Sequence, residues 1–268
     1  MNNLRKYLSW QFYKMYKRLK PKDVLFTPDT DDIFLVSYPR SGNTWMRVIL
    51  TELIYGKIID SLAEVEKYIP DLHFKPKNKD VIQSDYHIIK SHDPNNYRFS
   101  TFNYKKIIYL IRDPRDVVLS HFRYSVGRGN NRSFDDFLVD WVNGRIWPTS
   151  WQEHVNSWVG NSTTENDFKM LIIRYEDLKI NTFEIISKVN NFSGLQKSND
   201  DILSSISNAS LDKMKTKEEK GLRKGEDNET MQFIGKGKSG NWKNSLSPAQ
   251  IDLIYEYAKI PMKKFNYK

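Results

Sequence analysis

The segment Ile33-Phe34-Leu35-Val36-Ser37-Tyr38-Pro39-Arg40-Ser41-Gly42-Asn43-Thr44-Trp45 passes from an apolar run through a polar loop into a helix. Ile33 to Val36 shows no polar alternation, the pattern of a strand buried on both faces. Beyond the loop, Trp45, Val48, Ile49 and Leu53 recur at helical spacing. A strand–loop–helix of this kind binds anions, because backbone N–H groups of the loop and the helix N-terminus point outward. Gly42 permits close approach, Ser41 and Thr44 add hydroxyls, and Arg40 adds a fixed positive charge. A nucleotide kinase or GTPase places G-x-x-x-x-G-K-[ST] at this point. Here Asn43 stands in place of the lysine and there is no upstream glycine, so the phosphate cradle survives while the Mg–nucleotide version is weakened. An ordinary βα turn with a chance Ser-Gly is the plain alternative.

The same grammar repeats downstream. Strands are predicted at 87–90, 106–111 and 170–173. They run into Ser91-His92-Asp93-Pro94, Arg112-Asp113-Pro114 and Arg174-Tyr175-Glu176-Asp177 respectively. Short apolar strands alternating with helices specify an α/β fold, a single P-loop-like domain with a central parallel sheet flanked by helices on both faces. The polar motifs all follow the carboxyl ends of strands, where open α/β sheets bind ligands. Residues 124–133 and 143–151 read as loops, and the densely charged stretch 212–238 as a mobile surface segment. The motifs occupy about 31–245 of the 268 residues, with no internal repeat or domain linker, so one domain is expected over 1–268.

Composition narrows the function classes. Forty-two Lys and Arg against 33 Asp and Glu leave a formal charge of +9, which favours anionic partners. The chain has no cysteine, which excludes disulfides, thiol catalysis and Cys-ligated zinc. The five histidines, His73, His87, His92, His121 and His154, show no metal-ligand spacing, so no metal is expected. No apolar run approaches the ~18 residues of a membrane span, and residues 1–20 lack the pattern of a signal peptide. They read as a basic amphipathic helix, packed on its own domain or in peripheral contact with a membrane. A cytoplasmic location is expected. No nucleic-acid module is recognisable, so no nucleic acid is expected as partner.

Taken together, the motifs resemble the sulfotransferases that use 3′-phosphoadenosine 5′-phosphosulfate (PAPS), the cytosolic type above all. Tyr38 to Trp45 looks like the family's 5′-phosphosulfate loop. Arg112, followed eight residues later by Ser120, resembles its 3′-phosphate motif. Lys90-Ser91-His92 is similar to the Lys-Thr-His that carries the catalytic base. Arg174-Tyr175-Glu176-Asp177-Leu178 and Gly237-Lys238-Ser239-Gly240-Asn241-Trp242-Lys243 match two later motifs, in family order.

The resemblance implies sulfuryl transfer from PAPS to a hydroxyl or amine of a small-molecule or glycan acceptor, with adenosine 3′,5′-bisphosphate (PAP) as product. It makes His92 the general base, with Lys90 and Arg40 at the sulfuryl group. Arg40, Ser41, Gly42, Asn43, Thr44 and Trp45 would hold the 5′ side. Arg112 and Ser120 would hold the 3′-phosphate, Trp45 and Tyr175 the adenine, while Lys236 and Gly237 would close over the 3′-phosphate. Lys90 and His92 lie two apart on one strand, so both are expected to converge on the sulfuryl group. Plainer readings stand beside these: a strand-end charge for Lys90, a loop histidine for His92, an Arg–Asp surface network around Arg112, and core packing for Trp45 and Tyr175. The acceptor pocket would draw on Phe74, Tyr97, Trp147 and Trp151.

Three departures stand out: Arg40 replaces a lysine, Gly235 replaces an arginine, and Leu211 replaces a phenylalanine near adenine. The family's dimerisation motif is not recognisable after Trp242, which leaves the oligomeric state open. A P-loop kinase and a non-catalytic polyanion-binding protein are the competing functions.

Overall fold

The computed structural model describes residues 31–72, 88–95, 105–160, 168–220, 234, 237 and 239–268. In chain order the elements are β1 (Ile33–Ser37), α1 (Asn43–Tyr55), α2 (Val65–Tyr68), β2 (Ile88–Ser91), β3 (Lys106–Ile111), α3 (Pro114–Val126) and α4 (Phe134–Val142). Then come α5 (Trp151–Val159), β4 (Lys169–Arg174), α6 (Tyr175–Ile180), α7 (Thr182–Ser193), α8 (Asn199–Asn208), α9 (Leu211–Lys220) and α10 (Pro248–Lys264). The strands pair in the order β2-β1-β3-β4, and every pairing is parallel.

Side chains alternate across this sheet into two cores, as period-2 geometry requires. Phe34, Val36, Ile107, Tyr109 and Ile111 pack on one face with Val117, Trp141, Trp158 and Ile254 of the helices. Ile33, Leu35, Ile108 and Leu110 pack on the other with Ile49, Leu53, Ile186 and Ile202. Both faces are therefore covered over β1, β2 and β3, with β1 buried along its whole length, while the edge strand β4 stays largely exposed or half-buried.

Helix starts follow local chemistry. Ser150, Ser198 and Ser247 each close a capping box, with the third residue of the helix answering the serine. Asp113 caps α3 by accepting from Arg115 N, with Pro114 in the first turn.

Element ends differ from the sequence reading in three places. β2 ends at Ser91 rather than Lys90, and its predicted first residue, His87, lies outside the described residues. β4 gains Lys169 and Arg174 by pairing with β3. Of the two predicted loops, α3 runs through the start of the first to Val126, and α5 takes Trp151 from the second.

The largest correction concerns the charged stretch from Asp212. Leu211–Lys220 is a helix, because Met214 and Lys217, three apart, both find buried places. Met214 joins the core, and the Lys217 ammonium donates to the Ile59 carbonyl. Residues 1–20 lie outside the described residues.

The first loop is held by close packing. Gly42 adopts φ +97°, and a Cβ there would sit 2.6 Å from Cδ2 of Tyr175. Both the backbone conformation and the space exclude a side chain. Gly42→Ala is expected to cost about 1–3 kcal/mol of stability, read as a lowered melting temperature; a melt identical to wild type would overturn this account of the loop.

Candidate active site

The carboxyl ends of all the strands open on one cavity of about 300 Å³. β1 leads to Arg40, Gly42, Asn43, Thr44 and Trp45, all of which line it. β2 delivers His92, β3 delivers Arg112, and α3 adds Ser120. Tyr175, at the start of α6, and Gly237 complete the lining expected from sequence.

Two of the expected residues stand elsewhere. Ser41 is buried, and its hydroxyl has no hydrogen-bond partner among the described residues. Lys90 is not aimed into the cavity as expected. Residues 69–72 run beside β2, with Lys90 N–H donating to Pro70 O at 2.9 Å and Leu72 N–H to Lys90 O at 2.9 Å. That pairing sets Asp71 opposite Lys90, and the two side chains form a buried ion pair. Burial lowers the Lys90 ammonium while Asp71 opposes the shift. Lys236, Phe74 and Tyr97 lie outside the described residues.

His92 lies just past β2. Its Nδ1 is 2.6 Å from the Ser37 carbonyl and 3.3 Å from the Ser37 hydroxyl. A carbonyl only accepts, so Nδ1 carries the proton and Nε2 keeps its lone pair. Burial holds the His92 imidazole well below the ordinary histidine range, and the Lys90 charge pushes the same way. The ring is therefore neutral at pH 7. α5 supports this loop, with Trp158 Nε1 donating to Asp93 O at 2.9 Å and Ser157 Oγ accepting from Asn95 N at 2.9 Å. Trp147 meets the His92 ring edge-on at 5.9 Å and stays half exposed, whereas Trp151 is core. His154 is fully buried and takes a 2.9 Å hydrogen bond with the Tyr109 hydroxyl.

Arg40, at φ +71°, donates from Nε to Ser120 Oγ at 3.1 Å. Arg112 donates to Arg40 O at 3.1 Å and lies over the Tyr175 ring at 4.4 Å. Trp45 meets Tyr175 edge-on at 6.1 Å, and its Nε1 donates to Ala209 O at 2.9 Å. Tyr175 thus walls the loop, stacks the guanidinium and faces the cavity at once.

The neighbouring acids are spent on structure. Asp113 pairs with Arg115, both buried, and that guanidinium lies 3.6 Å over the Trp242 ring. Asp116 accepts from Gly240 N at 2.6 Å and Trp242 N at 3.1 Å. The arginine–aspartate network, the plainer alternative for this segment, is a buried one built on Arg115, and it docks the late glycine-tryptophan motif against α3. Glu176 accepts from Asp113 N at 3.1 Å and the Tyr267 hydroxyl at 3.0 Å.

The lining also holds residues that sequence reasoning missed, among them Arg123, Lys179, Thr182 and Asn241. Arg123 lies three residues after Ser120 on a predicted helix, a spacing that could have flagged it. Asn241 sits inside the late motif without having been singled out, and Lys179 and Thr182 carry no motif. Arg40, Arg112, Arg123 and Lys179 supply positive charge, and among the described residues no carboxylate lines the cavity. Burial lowers the Arg40 guanidinium to about 10, with Arg112 and Arg123 adding to the effect, so it stays charged at neutral pH. No cluster of the described residues could hold a metal ion, and no described helix is long and apolar enough to cross a membrane. The donors suit a ligand with several negative charges and a flat ring.

Known proteins share this arrangement of elements. The family model for the sulfotransferase domain matches residues 30–266. The chain is 26% identical to the amine sulfotransferase of Oryctolagus cuniculus, over 100% of this chain and 95% of that protein. It is 29% identical to sulfotransferase 1A1 of Rattus norvegicus, covering 87% of this chain and 86% of the relative. Among solved structures, retinol dehydratase in complex with androsterone and PAP superposes with a TM-score of 0.69 at 20% identity, over 90% of this chain and 83% of that one. A mouse sulfotransferase complexed with PAP gives 0.63 at 23%, over 87% of each chain. These two support the fold. With nearly the whole chain matched by the family model, the protein belongs to the sulfotransferase domain family and is a sulfotransferase enzyme.

Proposed function

We propose that the enzyme transfers a sulfuryl group from PAPS to a hydroxyl or amine of a small-molecule acceptor, with His92 as general base. The observation that carries this reading is the pairing in one cavity of a neutral histidine with Arg40, Arg112 and Arg123 and, among the described residues, no lining carboxylate. The fit to the donor rests on the chain itself: a loop whose Gly42 packs too closely on Tyr175 to carry a Cβ, with Arg40, Arg112, Trp45 and Tyr175 lining the same cavity.

When bound, PAPS supplies an activated sulfuryl group on its 5′-phosphate. Gly42, Asn43 and Thr44 would hold that end, Arg112 and Ser120 the 3′-phosphate, and Trp45 and Tyr175 the adenine. His92 Nε2 takes the acceptor proton, because Ser37 already holds Nδ1–H. Arg40 stabilises the negative charge that grows on the departing phosphate oxygen, and the charge it keeps at neutral pH suits that role. Its hydrogen bond to Ser120 links the two phosphate ends of the site.

His92→Ala is expected to slow single turnover by ~10²–10⁴ and leave PAP affinity unchanged by calorimetry. Because burial lowers its pKa, the base form persists under mild acid, and the acid limb of the rate profile falls below the ordinary ~6.5 of histidine. A variant that turns over at the wild-type rate, or an acid limb at or above that value, would remove His92 from the role. Arg40→Lys is expected to keep activity, whereas Arg40→Ala loses ~10²–10³ in rate at saturating PAPS. An alanine variant as fast as wild type would sink the electrostatic role.

A further inference from the structure

We infer that Arg123 is a third guanidinium for the phosphate held by Arg112 and Ser120, a binding residue that no family motif marks. The inference rests on the PAPS reading. Arg123 follows Ser120 by three residues on α3, so both lie on one helix face, and both line the cavity. Its charge is near enough to Arg40 to depress that guanidinium, which itself donates to Ser120 Oγ.

Arg123 is otherwise uncommitted. Among the described residues its side chain makes one hydrogen bond, a long contact of 3.4 Å from Nε to the Leu119 carbonyl, and no ion pair. Asp113 is taken by Arg115, Asp116 by the backbone of Gly240 and Trp242, and Glu218, close enough to act on Arg40, accepts from Ile234 N. A long, exposed cation gathered beside like charges gains most from an anion placed between them. A phosphate at Ser120 is such an anion, since a guanidinium fork matches its oxygens.

Two ligands and three variants test this. PAP carries the 3′-phosphate, and adenosine 5′-phosphosulfate lacks it while keeping a 5′ anion. Calorimetry on the full chain at low salt should show Arg123→Ala binding PAP about tenfold more weakly, with adenosine 5′-phosphosulfate unaffected. Arg123→Lys should recover part of the loss, and added salt should shrink the gap between wild type and alanine variant. Arg112→Ala serves as the reference for a residue gripping the same group. Because Arg123 is exposed, its variants should melt with the wild type. Undiminished PAP affinity in Arg123→Ala, or equal loss for both ligands, overturns the inference. If wild type binds PAP while Arg123→Ala does so equally well, the PAPS reading stands without it. A wild-type chain that binds neither nucleotide overturns the reading and the inference together.

Discussion

A sheet buried on both faces has no polar side on which to keep charged groups. That constraint organises this protein. β1 and most of β3 lie fully inside, and the two cores press on the sheet from opposite sides. With the central strands covered, polar chemistry gathers at strand ends, and in a parallel sheet all carboxyl ends share one edge. Arg40, His92, Arg112 and Tyr175 come from four different strand ends and meet there for that reason.

Charges of opposite sign are put to different uses at that edge. Carboxylates near the site are engaged by structural donors: Asp113 by Arg115, Asp116 by two backbone amides, Glu176 by a backbone amide and Tyr267, Asp71 by Lys90, Glu218 by the Ile234 amide. A buried carboxylate without such donors would be costly. With these acids engaged, the guanidinium groups give the cavity a positive wall. The +9 balance of the whole chain is a weak clue beside this local imbalance.

His92 shows how backbone geometry selects a role. The Ser37 carbonyl, at the end of β1, fixes the tautomer, while burial and the Lys90 charge keep the ring neutral. Lys90 therefore acts on His92 at a distance, anchored by Asp71, and the position of Asp71 depends on residues 69–72 pairing along the outer edge of β2. A pairing to residues that carry no motif thus bears on the proposed base.

Much of this was legible from local pattern. Apolar runs without alternation specified a parallel sheet, and Gly42 marked a backbone that approaches something closely. The family resemblance of the motifs named Arg40, His92, Arg112, Ser120 and Tyr175, all of which line the cavity. These are properties of a few neighbouring residues, which periodicity and motif reading register directly. Other features depended on partners far along the chain. Nothing near Lys90 in sequence reveals Asp71 as its counter-ion, and nothing near Asp116 points to Gly240 and Trp242. The helix from Leu211 reads as mobile because one of its anchors, the Ile59 carbonyl that accepts from Lys217, lies more than a hundred residues away. Whether a charge faces the ligand or a structural partner is set by which long-range neighbour reaches it first, and only the folded chain decides that.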